Sequence, residues 1–180
     1  SLEDVASIDW MKSSSGFMPQ ILADGEIHKP VSTSSLYEST FEDLVFQHSD
    51  ILFPSYHAVK FKKTVESEKG ASEADLALVH KAYKEWWIVE VERSDHSLSS
   101  HVLPQLLRLT RASYAEAEAS YLCRQEPSLA KRRVHTMMKG SPPKALVIVN
   151  EPMPSWRQEL QHLDVRLGTF QVYRSSRNSH

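Results

Sequence analysis

The spacing of apolar positions changes along this chain, and each change marks an element. Residues 86–92, WWIVEVE, are aromatic and β-branched except for Glu90 and Glu92, a composition that predicts a strand. Strand side chains alternate faces, so both acids share one face with Ile88 while Val89 and Val91 take the other. Residues 75–80, DLALVH, are equally apolar, and the polar segment 81–85 is long enough for a hairpin loop. A turn centred between Ala82 and Tyr83 sets Asp75 opposite Glu90.

Upstream, Ser35 and Glu38 have the spacing of a capping box, which predicts a helix starting there with Tyr37, Phe41, Leu44 and Val45 at helical spacing and an end at residues 50–54. Residues 56–62 alternate as a strand, and 66–73 read as a polar loop with Gly70. A long helix is expected over 101–124, with Pro104 in its first turn and Val102, Leu106, Leu109, Ala112 and Ala115 or Ala117 on its inner face. Residues 131–144 read as a basic connector, and 145–149, ALVIV, as a strand buried on both faces. A short helix carrying Trp156, Leu160 and Leu163 and a last strand over 168–173 complete the order. In residues 1–35, Ile8, Trp10, Phe17, Met18, Ile21 and Leu22 are scattered without a period, which predicts irregular structure with one short strand pair.

Composition narrows the class. At 180 residues, 41% hydrophobic and 24% charged, the chain has the make-up of one ordinary globular domain. A net charge of -2 excludes a global polycation, so any nucleic-acid contact needs a local basic patch. Lys131, Arg132, Arg133 and Lys139, near His135, supply one such cluster, and Arg108 and Arg111 are candidate phosphate contacts. Cys123 has no second cysteine to pair with and reads as a buried, inert thiol, which favours a cytoplasmic location. No apolar run approaches the roughly 18 residues of a membrane span, so no membrane partner is expected. The opening Ser1 reads as a trimmed end or a piece of something longer.

The candidate chemistry lies in the acids of the hairpin. Like charges across a strand pair destabilise it, and an unpaired buried carboxylate costs roughly several kcal/mol, so Asp75, Glu90 and Glu92 call for a cation. A divalent metal is one solution. The other is an exposed edge strand whose acids pair with Lys60 or Lys62 opposite, with Asp75 at a strand start. His57, His80, His96 and His101 lack the paired spacing of a zinc site, and the loop bearing Asp95 and His96 has no nucleophile motif, although it could line the site.

The order helix, three strands, helix, strand, with an acid in the first helix, Asp75 heading one strand and Glu90-Val91-Glu92 on the next, resembles the restriction-endonuclease-like (PD-(D/E)XK) nuclease superfamily over residues 35–150. Its motif is an Asp and then an acid, any residue and a lysine; here Glu92 stands at the lysine position. The resemblance implies an α/β fold with an αβββαβ core, a central mixed sheet flanked by helices. The expected division of the chain is an irregular extension (1–34), a nuclease-like domain (35–174) and a flexible tail (175–180). The resemblance also implies that Asp75, Glu90 and the Val91 carbonyl bind Mg²⁺ or Mn²⁺, hard cations suited to oxygen ligands. Glu92 then adds a ligand or positions the water. A first-helix acid, Glu38 in preference to Glu42, completes the site, and Gln105 stands near it, although Leu109 replaces the tyrosine that usually follows.

The expected activity is metal-dependent hydrolysis of DNA phosphodiester bonds, RNA not being excluded, in phage defence, restriction or repair. A homodimer would suit cutting of both duplex strands. The alternative is a catalytically inactive module of the same fold that binds nucleic acid or a protein partner, favoured by the missing lysine. A third is an unrelated α/β interaction domain whose acids are structural.

Overall fold

The computed structural model describes residues 20–178. In chain order these form β1 (Ile21–Ala23), β2 (Glu26–Pro30), α1 (Glu38–Gln47), α2 (Ser49–Leu52), β3 (Tyr56–Lys60), β4 (Val65–Ser67), β5 (Gly70–Ser72), β6 (Leu76–His80) and β7 (Trp86–Glu92). A π-helical turn, Leu98–Val102, leads into α3 (Leu103–Arg111), α4 (Glu116–Gln125), α5 (Lys131–Gly140), β8 (Lys144–Val149), α6 (Pro154–Gln161), β9 (Val165–Thr169) and β10 (Tyr173–Ser175). The fold is mixed α/β. Its main sheet has the order β3-β6-β7-β8-β9, antiparallel across β3, β6 and β7 and parallel across β7, β8 and β9.

The alternation along β7 sorts its side chains between two cores. Val89 and Val91 join Phe41 and Val45 of α1 and Leu146 and Ile148 of β8 on one face. Trp86 and Ile88 join Leu106 and Leu109 of α3, Leu122 of α4, Val134 of α5 and Val147 of β8 on the other. Burial on both faces is what the continuous apolar run of β8 requires, and β7 is likewise buried over its full length. The pairs Leu76↔Val89 and Ala77↔Ile88 are in the register that sets Asp75 opposite Glu90. The edge-strand alternative fails, because β7 is a central strand with Glu90 only 1% and Glu92 3% exposed.

Several boundaries differ from the expectation. Tyr37, not Ser35, is the N-cap of α1; Ser35 instead donates its hydroxyl to the Ser32 carbonyl in a 3-10 turn. The expected helix over 101–124 breaks at Ala112, which is extended, and Ala115 and Ala117 are exposed. Tyr114 drives the break: its ring packs edge-on against Trp86 at 4.6 Å, and its hydroxyl donates to the Leu109 carbonyl, 2.6 Å. Glu118 then accepts from the Ala115 amide, 2.9 Å, and restarts the helix as α4. The expected basic connector is largely helix α5, because Val134, Met137 and Met138 make a buried stripe beneath the charges. The expected polar loop over 66–73 contains the β4–β5 hairpin, turned at Gly70, whose φ of +110° disfavours any side chain.

At the end of the chain, the expected single strand is two, β9 in the main sheet and β10 paired with β2. The segment expected as a flexible tail begins within β10 and continues as a 3-10 turn, Ser176–Asn178; residues 179–180 lie outside the described residues. A strand pair, β1–β2, does occur in the N-terminal region. Ile8, Trp10, Phe17 and Met18 lie outside the described residues. No helix among the described residues is long and apolar enough to cross a membrane.

Candidate metal centre

The carboxyl end of β7 gathers the acids. Asp75, one residue ahead of β6, accepts the Val91 amide on Oδ2, 2.8 Å, and the Lys62 ammonium on Oδ1, 2.5 Å. Lys62 also donates to Glu42 of α1, 2.9 Å. Burial works against the Lys62 charge, but the bonds to Asp75 and Glu42 outweigh it and hold its pKa above the ordinary lysine value.

Glu90 points to the α3 face. Gln105 spans from β7 to the segment before β6, donating Nε2 to Glu90 Oε2, 2.7 Å, and to the Glu73 carbonyl, 2.9 Å. The other carboxylate oxygen, Glu90 Oε1, is buried without a hydrogen-bond partner among the described residues. Burial first, and then the nearby Asp75 and Glu92 charges, push the Glu90 pKa well up. A buried polar atom without a partner is uncommon in native proteins and calls for an explanation.

Glu92 meets the loop and the π-helical turn that follow it. Its Oε2 contacts His96 Nδ1 at 2.7 Å, and its Oε1 lies 3.7 Å from His101 Nε2. Glu38, in the first turn of α1, reaches His96 Nε2 at 3.5 Å. Burial raises the Glu92 pKa, and the two histidines oppose that shift. Ligand atoms of Glu92, His96 and His101 all lie within 4.8 Å of one another, a spacing compatible with one metal ion.

The structure thus brings Asp75, Glu90, Glu92, Val91, Glu38 and Gln105 to one end of the sheet, but divides them. Asp75, Glu90, Val91 and Gln105 form one group; Glu38 goes with Glu92 to the histidines. Glu42, set aside in favour of Glu38, is the first-helix acid tied to Asp75, through Lys62. Lys62 serves Asp75 and Glu42, and Lys60 pairs with Asp43, so neither neutralises Glu90 or Glu92 by direct contact. Arg108 lies under the β4–β5 hairpin with a buried Nε that has no hydrogen-bond partner among the described residues, whereas Arg111 is exposed. The basic cluster is elsewhere: Arg133 stacks over Tyr83 at 4.3 Å, in the turn of the β6–β7 hairpin.

Sequence reasoning offered Lys62 only as a partner for Glu90 or Glu92, whereas it lies beyond the end of β3 and pairs with Asp75 and Glu42, and it missed the joining of His96 to His101. The separation of the two histidines, five residues, fits neither a helical turn nor a strand face. A π-helical turn closes it, with the His101 and Val102 amides both donating to the Ser97 carbonyl, 3.0 and 3.3 Å. No family model, curated protein or solved structure matches the chain.

Proposed function

We propose that the chain is a metal-dependent nuclease domain of the restriction-endonuclease-like superfamily that hydrolyses DNA phosphodiester bonds. The observation that carries this reading is the buried, unpartnered Glu90 Oε1 in the group built around Asp75. A carboxylate held in place by Gln105 on one oxygen and left free on the other is suited to bind a hard cation. The order α1, β3, β6, β7, α3, β8 supports the αβββαβ core that the resemblance implies. The position also fits: in open α/β sheets ligands bind outside the carboxyl ends of parallel strands, and Glu90 and Glu92 lie at that end of β7.

Mg²⁺ or Mn²⁺ would be held by Asp75, Glu90 and the Val91 carbonyl, with Glu38 displaced to the histidine group. When bound, the ion neutralises phosphate charge and lowers the pKa of a coordinated water. The chain's residues prepare that site. The Val91 amide fixes Asp75, and Gln105 fixes Glu90. Lys62 supplies the cation that the motif lacks at position 92, reaching Asp75 from beyond β3. Its raised pKa keeps it protonated, so it acts as a fixed positive charge toward the phosphate and not as a base.

The second reading, an inactive module that binds nucleic acid or a protein partner, is favoured by Glu92, which occupies the lysine position and is engaged with His96. One experiment separates the two. Plasmid DNA, linear DNA and RNA are incubated with the protein in Mg²⁺ or Mn²⁺, beside Asp75→Ala and Glu90→Ala. DNA cleavage lost in both variants supports the nuclease. Cleavage that survives both substitutions rejects the site, and DNA binding without cleavage establishes the inactive module. A role in phage defence, restriction or repair, and a homodimer on duplex DNA, extend the same reading.

A further inference from the structure

We infer that Glu92, His96 and His101 form a second metal site, distinct from the Asp75–Glu90 group and selective for a zinc-class divalent ion over Mg²⁺. The inference does not depend on the nuclease reading. Three elements build the site: the last residue of β7 supplies Glu92, the loop after it His96, and the π-helical turn His101. Leu98 and Val102, both buried, anchor that turn to the α3 side of the sheet and so hold His101 near the carboxylate.

The geometry suits one small ion. Ligands about 2.0–2.2 Å from a tetrahedral zinc are about 3.3–3.6 Å from one another. The contacts of Glu92 with His96 Nδ1 and His101 Nε2, 2.7 and 3.7 Å, bracket that spacing, and all three ligand atoms fall within 4.8 Å. Two imidazoles and one carboxylate favour Zn²⁺, Co²⁺ or Ni²⁺ over Mg²⁺, which prefers an all-oxygen shell. Binding exchanges the proton shared between His96 Nδ1 and Glu92 for the ion.

The surroundings also fit. With His96 ligating through Nδ1, its Nε2–H faces the Glu38 carboxylate at 3.5 Å, the arrangement in which an outer acid fixes the tautomer of a metal-bound imidazole. Glu92 is buried, His96 partly exposed and His101 exposed. The ion would therefore be anchored from the protein side and open toward solvent through His101, leaving a position for water or a ligand oxygen.

The test is a Zn²⁺ titration of the intact chain by calorimetry in excess Mg²⁺, followed by Co²⁺ substitution and visible absorption. One Zn²⁺ per chain is expected, not displaced by Mg²⁺, with a Co²⁺ spectrum showing nitrogen ligation. His101→Ala, whose exposed side chain can be removed without opening the core, and His96→Ala should each weaken Zn²⁺ at least about tenfold. Glu38→Gln should weaken it less. The Asp75→Ala, Glu90→Ala double variant should bind Zn²⁺ as the parent does, whatever its effect on cleavage, so failure of this site and failure of the nuclease reading give different results. Absence of Zn²⁺ uptake by the folded protein, affinity unchanged in both histidine variants, or displacement by Mg²⁺ would overturn the assignment.

Discussion

The two ends of the β6–β7 hairpin each hold a glutamate, in opposite electrostatic states. At the turn end, Glu85 accepts from Tyr56, from Trp87 Nε1 at 3.1 Å and from Lys144 at 2.5 Å, and the Lys144 bond leads the effects that lower its pKa to about 2. At the open end, Glu90 has, among the described residues, one donor, Gln105, an unpartnered oxygen and acids for neighbours, and its pKa moves up. One carboxylate is saturated by its own chain; the other is short of cation. Satisfied groups hold a fold together, whereas a buried group left short of partners marks the place where something else is expected to bind.

Removing the acids at the open end tests that distinction most strongly. Asp75→Ala and Glu90→Ala should each lower DNA cleavage by at least about a thousandfold, because the metal they hold contributes several kcal/mol to the transition state. Glu85→Ala should leave the rate within about threefold, as distant sites behave independently. A large rate loss in Glu85→Ala under conditions where the protein stays folded would erase the contrast. Next in size is Gln105→Ala, which frees Glu90 without removing it. A loss of roughly 10- to 100-fold in metal affinity or cleavage is expected, the usual range for a residue that orients a ligand.

Stability should respond the other way round. Glu85→Ala strips an acceptor from Tyr56, Trp87 and Lys144, and urea unfolding should show a loss of about 2 kcal/mol. Glu90→Gln removes a buried carboxyl whose charged form has no counter-ion in contact among the described residues, so in metal-free buffer the same measurement should show no loss or a gain. A Glu90→Gln variant as unstable as Glu85→Ala would mean that Glu90 is structural after all.

How far these ends could be read in advance follows from how local each signal is. The hairpin register follows from the turn centre, the faces of Glu90 and Glu92 from strand alternation and the buried position of β8 from a continuous apolar run, all local signals, and the structure has them. The meeting of Gln105 with Glu90 was anticipated only by resemblance. Helix α5 was hidden because Lys131, Arg132 and Arg133 dominate its sequence while Val134, Met137 and Met138 decide its burial. The pairing of Lys62 with Asp75 and the meeting of His96 with His101 could not be foreseen, since they depend on where a strand ends and how a π-helical turn closes. The partition of Glu38 and Glu42 between His96 and Lys62 is likewise a tertiary outcome, because both acids lie on one side of α1 at helical spacing.

The smallest effect expected is a pH dependence at the saturated end. Glu85 has a folded pKa of about 2 against an ordinary value of 4.5, so its carboxylate is favoured by folding. The stability it adds is complete above 4.5 and is lost as the pH falls through about 2. The difference in unfolding free energy between the parent chain and Glu85→Gln should therefore be flat near neutrality and shrink across that interval. Partial exposure of both partners screens the pair and limits the change to on the order of 1 kcal/mol. A difference that persists unchanged down to the lower value would assign the stabilising role to the neutral hydrogen bonds of Tyr56 and Trp87, and would remove the Lys144 charge from the contrast with Glu90.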